Sequence, residues 1–189
     1  MIVFRARPEV QDTFRFLGVM VPPTENYYQW AAEAVAICGP FSVQGEYVVT
    51  NFSGSGPSPT VGGAYVFASY FLTGEHRNYD RETAVFDQIT PHENFLWIDS
   101  CDGCCGEGAG AWEVAARWSF LDYDDTGLVA VGGEDGTRGT LSNFTFGINW
   151  YWNPQTRLSF NYVHSKLNEA QTGHTARLDA FTSRLQIEF

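Results

Sequence analysis

The sequence predicts an all-β fold, an antiparallel sheet with its apolar side turned outward as a membrane-spanning β-barrel, and three observations lead there. Segments of strict apolar/polar alternation recur along the 189 residues, separated by Gly, Pro, Asp and Asn clusters, whereas capped 3.6-residue periodicity is scarce. Aromatic residues make up 16% of the chain, and Trp30, Tyr47, Trp112, Trp118, Trp150, Trp152, Phe160, Tyr162 and Phe189 fall toward strand ends as often as strand middles. That distribution suits paired interfacial girdles better than a packed soluble core. Connection lengths alternate as well: short turns at 38–40 and 153–155 stand between longer polar loops at 9–26, 51–61, 123–140 and 167–177. Membrane barrels have this asymmetry, with the short turns on the periplasmic side.

Eight strands follow, in order. Residues 2–8 place Arg5 and Arg7 on one parity. Residues 27–38 carry the helix-permissive run "WAAEAVAI" but also fit a strand with Glu33 on its wet face. In 41–50, Phe41, Val43, Tyr47 and Val49 oppose Ser42, Gln44, Glu46 and Thr50, and 62–75 forms the next strand. The clearest alternation is in 110–122, where Trp112, Val114, Ala116, Trp118 and Phe120 oppose Glu113, Ala115, Arg117 and Ser119. In 141–153, Phe144, Phe146, Ile148, Trp150 and Trp152 oppose Thr145, Asn149 and Tyr151. Segments 156–166 and 178–189 complete the set, with Arg157, Arg184 and Glu188 on the wet parity; the chain ends on apolar alternation and Phe189, the form of a barrel-assembly signal. The connection 76–109 departs from the alternation, being long yet on the short-turn side. It is either an extended segment or hides a hairpin around "TAVFDQITPHENFLWI".

Charge narrows the function. Twenty-two acidic against eleven basic residues give a net charge of -11 with no basic run, which argues against a nucleic-acid partner. No stretch approaches the roughly 20 apolar residues of a spanning helix, and the N-terminus lacks the order of a signal peptide. An exported barrel with no export signal is expected to be part of a longer chain.

Several phrases carry a more specific signal. "FRARPE" (4–9), "GPFSVQGEY" (39–47), "YVFASYFLTGEHRNYDR" (65–81), "GAWEVAARWSFLD" (110–122) and "GINWYWNPQTRLSFNYVHS" (147–165) together resemble the C-terminal half of the phosphate-selective porins O and P. The resemblance implies a sixteen-stranded antiparallel barrel of the bacterial outer membrane, trimeric when complete, whose arginine-lined pore passes phosphate or related anions. Residues 1–189 would then be the C-terminal part of one porin barrel domain, with the N-terminal half and signal peptide outside them. Alone, this part is expected as an open half-barrel or an artificially closed small one.

Arg5 and Arg7 match a motif associated with the pore wall, and Arg117, Arg157 and Arg184 are further inward candidates by parity. Glu33, Glu46, Glu113 and Glu188 share their face, which leaves the expected wall near neutral and weakens phosphate specificity, since such selectivity needs ladders of one sign. Each arginine has two readings: contact with a passing anion, or pairing with a neighbouring glutamate. Trp112, Trp118, Phe146, Trp150, Trp152, Phe160 and Phe189 are expected to face the lipid of the outer membrane.

"SCDGCCGEG" gathers Cys101, Cys104 and Cys105, but one Cys-x-x-Cys is weak evidence for zinc. In an oxidising periplasm disulfides are favoured, with Cys38 bonding one member of the cluster and the other two bonding each other. "DYDDTG" and "GGEDG" could offer oxygen ligands to calcium but lack the spacing of a calcium loop, and read better as solvated loops. No catalytic elbow, metalloprotease pair, P-loop or dinucleotide fingerprint is present, and the histidines at 76, 92, 164 and 174 are scattered. No enzyme, cofactor or metal site is expected. The rival reading is a soluble or periplasmic β-barrel that binds a ligand on an aromatic interior. It would place Trp112, Trp118, Phe146 and Trp150 inside the fold. A third reading is a non-conducting structural remnant.

Overall fold

The computed structural model describes residues 2–10, 13, 15–80, 82, 85–95, 98, 99, 105, 106, 108–132 and 136–188. Among these residues the chain forms fourteen strands and no helix: β1 (Ile2–Ala6), β2 (Leu17–Val21), β3 (Asn26–Cys38), β4 (Phe41–Ser53), β5 (Thr60–Phe71), β6 (Tyr79–Asp80), β7 (Val85–Phe86), β8 (Ile98–Asp99), β9 (Cys105–Gly106), β10 (Ala111–Tyr123), β11 (Val129–Ala130), β12 (Gly139–Asn153), β13 (Thr156–Glu169) and β14 (Thr175–Ile187). Seven long strands make one antiparallel meander in the order β14-β13-β12-β10-β5-β4-β3. Its edges, β3 and β14, do not pair with each other, so the sheet is open. The helix-permissive run at 30–37 lies in β3, where pairing with β4 overrides its alanine content.

The turns agree with their sequences. Gly39 (φ +55°) and Pro40 link Cys38 to its partner Phe41, and Pro154-Gln155 link Asn153 to Thr156. At the start of β10, Gly110 (φ +67°) lies where a Cβ would come within 2.3 Å of the Tyr151 carbonyl oxygen, so only glycine lets β10 enter this close beside β12.

The wall has seven strands, not the eight expected from the sequence. Residues 2–8 are not in it. Instead β1 pairs with β2, with Arg5 opposite Gly18, and β11 pairs with the other side of β2. The segment 9–26, expected as loop, thus holds a strand, the unbroken apolar run "LGVMV". Leu17, Val19 and Val21 are buried against Phe52, Val61, Tyr123, Leu128, Leu141 and Leu167. Five of those six belong to the wall, on its inner face near the long loops, so the small sheet packs inside the curve of the large one. The connection 72–110 contains two short hairpins, β6-β7 and β8-β9, where the sequence left room for one.

Face assignment follows from register. One row across four strands reads Trp112, Trp150, Leu158, Leu185; two residues further along come Val114, Ile148, Phe160, Ser183, then Ala116, Phe146, Tyr162, Phe181. These side chains share the outer face, where Trp118 (44%), Phe146 (44%) and Phe160 (51%) are exposed. Among their neighbours on the other parity, Glu113, Ser119, Asn143, Ser159 and Ser165 are buried. A water-soluble sheet buries its apolar face; this one does the reverse. The rival reading of an aromatic interior fails on this point.

Along β12 the outer positions from Trp152 to Phe144 are all apolar, and Ser142 and Thr140 follow. Eight steps of about 3.3 Å cover about 26 Å along the strand, or about 20 Å across the bilayer at a tilt of about 40°, close to the roughly 25 Å apolar band of an outer-membrane barrel. An arginine in place of Phe146, within this band, is expected to cost about 2–4 kcal/mol, whereas one in place of the inward Asn161 is tolerated. The folded fraction recovered from membranes, read by heat-modifiable gel mobility, distinguishes the two variants.

Candidate functional site

The candidate site is the inner face, where polar side chains of the wall meet two segments folded against them. Glu113 on β10 is fully buried. Its carboxylate accepts hydrogen bonds from Asn149 Nδ2 (2.9 Å) and the Tyr151 hydroxyl (2.9 Å), and it pairs with the guanidinium of Arg77. Arg77 comes from the connection 72–110. Its Nε donates to Ser69 Oγ (3.2 Å), and its guanidinium lies 5.5–5.8 Å from the ring centres of Phe67, Phe71 and Phe86. A carboxylate without solvent needs several donors and an opposite charge, and Glu113 has both.

The same connection is held by a second buried carboxylate, Glu75. It accepts from the Thr73 hydroxyl and the His92 backbone N–H (3.1 Å), while Thr73 Oγ1 takes the N–H of Trp112 (3.0 Å). The base of β10, the connection and the inner face are therefore one bonded unit.

Arg117, two turns of the pleat along β10 from Glu113, lies with its guanidinium 4.6 Å from the ring centre of Tyr65. Its partner is Glu9, which follows β1: Nε stands 3.3 Å from Glu9 Oε1, and the same carboxylate accepts from Ser119 (2.8 Å) and Thr145 (2.5 Å). Arg157 on β13 donates to two neutral acceptors, the Tyr151 hydroxyl (3.3 Å) and Gln186 Oε1 (2.7 Å). Arg184 lies opposite the buried Ser159 and is exposed on the inner side of β14. Just beyond that strand, Glu188 accepts from Gln88 and Gln186. Glu33 and Glu46 stand directly opposite each other on β3 and β4, and Gln44 Nε2 donates to Glu33 (2.8 Å). Arg5 and Arg7 belong to the small inner sheet and the residues after it, both exposed. Arg7 borders a recess of about 600 Å³ that Glu9, Glu46, Tyr65, Arg117 and Asn143 also line.

On the outer face Trp112 and Trp150 stack at 4.9 Å, and both indole N–H groups donate to the Ala109 carbonyl. Phe95 packs edge-on against Trp150 (4.5 Å) and also meets Trp152, which leaves these three tryptophans half-buried at the short-turn rim. Phe189 lies outside the described residues. Cys38 is an exposed free thiol in this structure, carried by β3 to the outer face at the open edge of the sheet. Cys101 and Cys104 lie outside the described residues, and only the backbone of Cys105 is described, paired to Asp99. In the acidic loop after β10, Asp125 accepts from the N–H groups of Thr60 (2.9 Å) and Gly127 (2.8 Å), closing the loop against β5.

A family model, that of the phosphate-selective porins O and P, matches residues 2–189. The chain belongs to this family. Porin O of Pseudomonas aeruginosa is 29% identical over 182 residues, covering 92% of this chain and 39% of Porin O. An uncharacterized protein of Caulobacter vibrioides is 28% identical over 167 residues, covering 87% of this chain and 30% of that protein. The chain thus spans well under half the length of either relative. As a porin of this family it is an outer-membrane protein, in keeping with the outward apolar face.

Two inner-face residues of this porin escape a parity reading, Arg77 and Glu9, because both sit outside the alternating strands. The one hint of them is on the wall itself, where a charge at a position with no wall neighbour of opposite sign demands a partner from elsewhere. Arg77→Ala is expected to destabilise the folded protein by about 3–5 kcal/mol by leaving the Glu113 carboxylate buried and unpaired. The double replacement Arg77→Met with Glu113→Leu recovers part of that loss. Urea midpoints of the detergent-solubilised protein check both.

Proposed function

We propose that this chain is the C-terminal portion of a longer outer-membrane channel whose complete barrel, closed through the edges of β3 and β14, passes small anions by passive diffusion along the inner face. The observation that carries the reading is the inversion of the sheet, with rings outward and arginines inward. Unpaired backbone groups along two strand edges are not tolerated in a bilayer, which supports further strands from the rest of the protein closing the barrel. Trimer formation by the complete protein belongs to the same reading, as does a channel role in place of an enzymatic one.

The mechanism needs no chemical step. An anion entering a narrow polar passage with low-dielectric walls feels fixed cations more strongly than in bulk water, and weak successive sites let it both bind and leave. Arg157 suits this role because neutral groups hold it in place without cancelling its charge. Arg5, Arg7 and Arg184 are exposed on the inner side, where they would add to the positive potential. Glu33 and Glu46 oppose them and moderate the selectivity. Phosphate and related oxyanions are the proposed solutes.

Planar-bilayer recordings of the complete protein under a salt gradient test the reading. The unmodified channel is expected to give an anion-selective reversal potential, and a cation-selective one overturns the proposal. With Arg157 and Arg184 changed to Gln, or Arg5 and Arg7 changed together, the anion-to-cation permeability ratio is expected to fall severalfold. Unchanged selectivity in a pair removes that pair from the path.

A further inference from the structure

Glu9 lies outside any strand, yet its carboxylate is seated in a place built by residues of the wall more than a hundred positions away in the chain. Arg117 and Ser119 come from β10 and Thr145 from the facing position of β12, and all three converge on one carboxylate. The wall orients Ser119 for an oxyanion without help from Glu9. Buried Asn143 donates Nδ2 to Ser119 Oγ (3.2 Å), which fills an acceptor site on that oxygen and leaves its O–H to point at the carboxylate. The ring of Tyr65 also supports the guanidinium of Arg117, 4.6 Å from the ring centre. One guanidinium and two hydroxyl donors are also what a small inorganic oxyanion requires.

The cradle is open to the inner space. The Arg117 side chain is 43% exposed and that of Glu9 21%, and both border the same recess as Arg7 and Glu46. Glu9 itself stands on a short stretch between β1 and β2, outside any strand. Its carboxylate can therefore leave the cradle without breaking a ladder of the wall.

We propose that Arg117, Ser119 and Thr145 form an oxyanion subsite on the inner wall and that Glu9 is its built-in competitor, a tethered carboxylate that a passing phosphate must displace. With Glu9 seated the subsite is neutral overall, so it binds anions weakly and releases them readily. The inference rests on the anion-channel reading of the inner face, and it names the place where that face would hold its solute.

Titration calorimetry of inorganic phosphate into the detergent-solubilised complete protein tests the competition directly, whether or not the protein conducts. Glu9→Gln is expected to tighten phosphate binding about tenfold, the scale of one charge-assisted contact released to the ligand. Adding Ser119→Ala and Thr145→Val to that variant is expected to abolish the gain. In the unmodified protein, saturating phosphate is expected to speed amide exchange at residues 9 and 10 by freeing this stretch, a readout that needs no variant to fold. If Glu9→Gln binds phosphate no more tightly, or if exchange there does not change, Glu9 merely pins the inner sheet and the inference fails. Loss of anion selectivity in bilayers with the calorimetric result intact would sink the channel reading and leave the subsite standing.

Discussion

A carboxylate buried on the inner face of the wall needs a counter-charge from within the chain, and much of the inner architecture follows from that requirement. Glu113 and Arg117 share one strand face four residues apart, yet neither neutralises the other. Each is met by a residue from a segment folded into the curve of the sheet, Arg77 for the first and Glu9 for the second. Burial without such partners would cost several kcal/mol per ion. The in-folded segments are therefore bound to the wall by electrostatics as much as by packing, and they decide which wall charges remain available to a solute.

Packing divides the inner face into two zones. Toward the long loops, Leu17, Val19 and Val21 seal against Phe52, Tyr123, Leu141 and Leu167 in a dry core. Nearer the short turns the face is mostly polar, with serines, asparagines and the ion pairs already described, beside a small apolar patch of Phe71, Ile89, Ala111 and Tyr151. The boundary lies close to Ser119 and Asn143, where Glu9 reaches the wall. A single hairpin thus narrows the interior and, through the residue that follows β1, delivers a carboxylate to the wall. The outer face has no such division, since lipid offers one solvent from the tryptophan rim at Trp112 and Trp150 up to Phe144.

Much of this was legible as period-two alternation. Side-chain direction in a strand depends on parity alone, so Trp118, Phe146 and Phe160 could be set against Arg117, Thr145 and Arg157 by counting. The polarity of the aromatic face was legible as well, from girdles and loop asymmetry. Other features left no periodic trace. The five-residue apolar run of β2 reads as part of a polar loop until a core is found for it, and residues 2–8 alternate like a wall strand although they pair only with β2 and pack inside the sheet. Arg77 and Glu9 sit beyond the ends of regular segments.

The chain's own sequence determined that it forms antiparallel strands, which residues share a face, and that its apolar face meets lipid, because these depend on spacing and on solvent preference along a single strand. Which strands enter the wall, which fold inside it, and which inward charges are cancelled or left for a solute were decided only by the tertiary structure. Those outcomes depend on contacts between residues more than a hundred positions apart, such as Glu9 with Ser119 and Thr145, and no local pattern encodes such a distance.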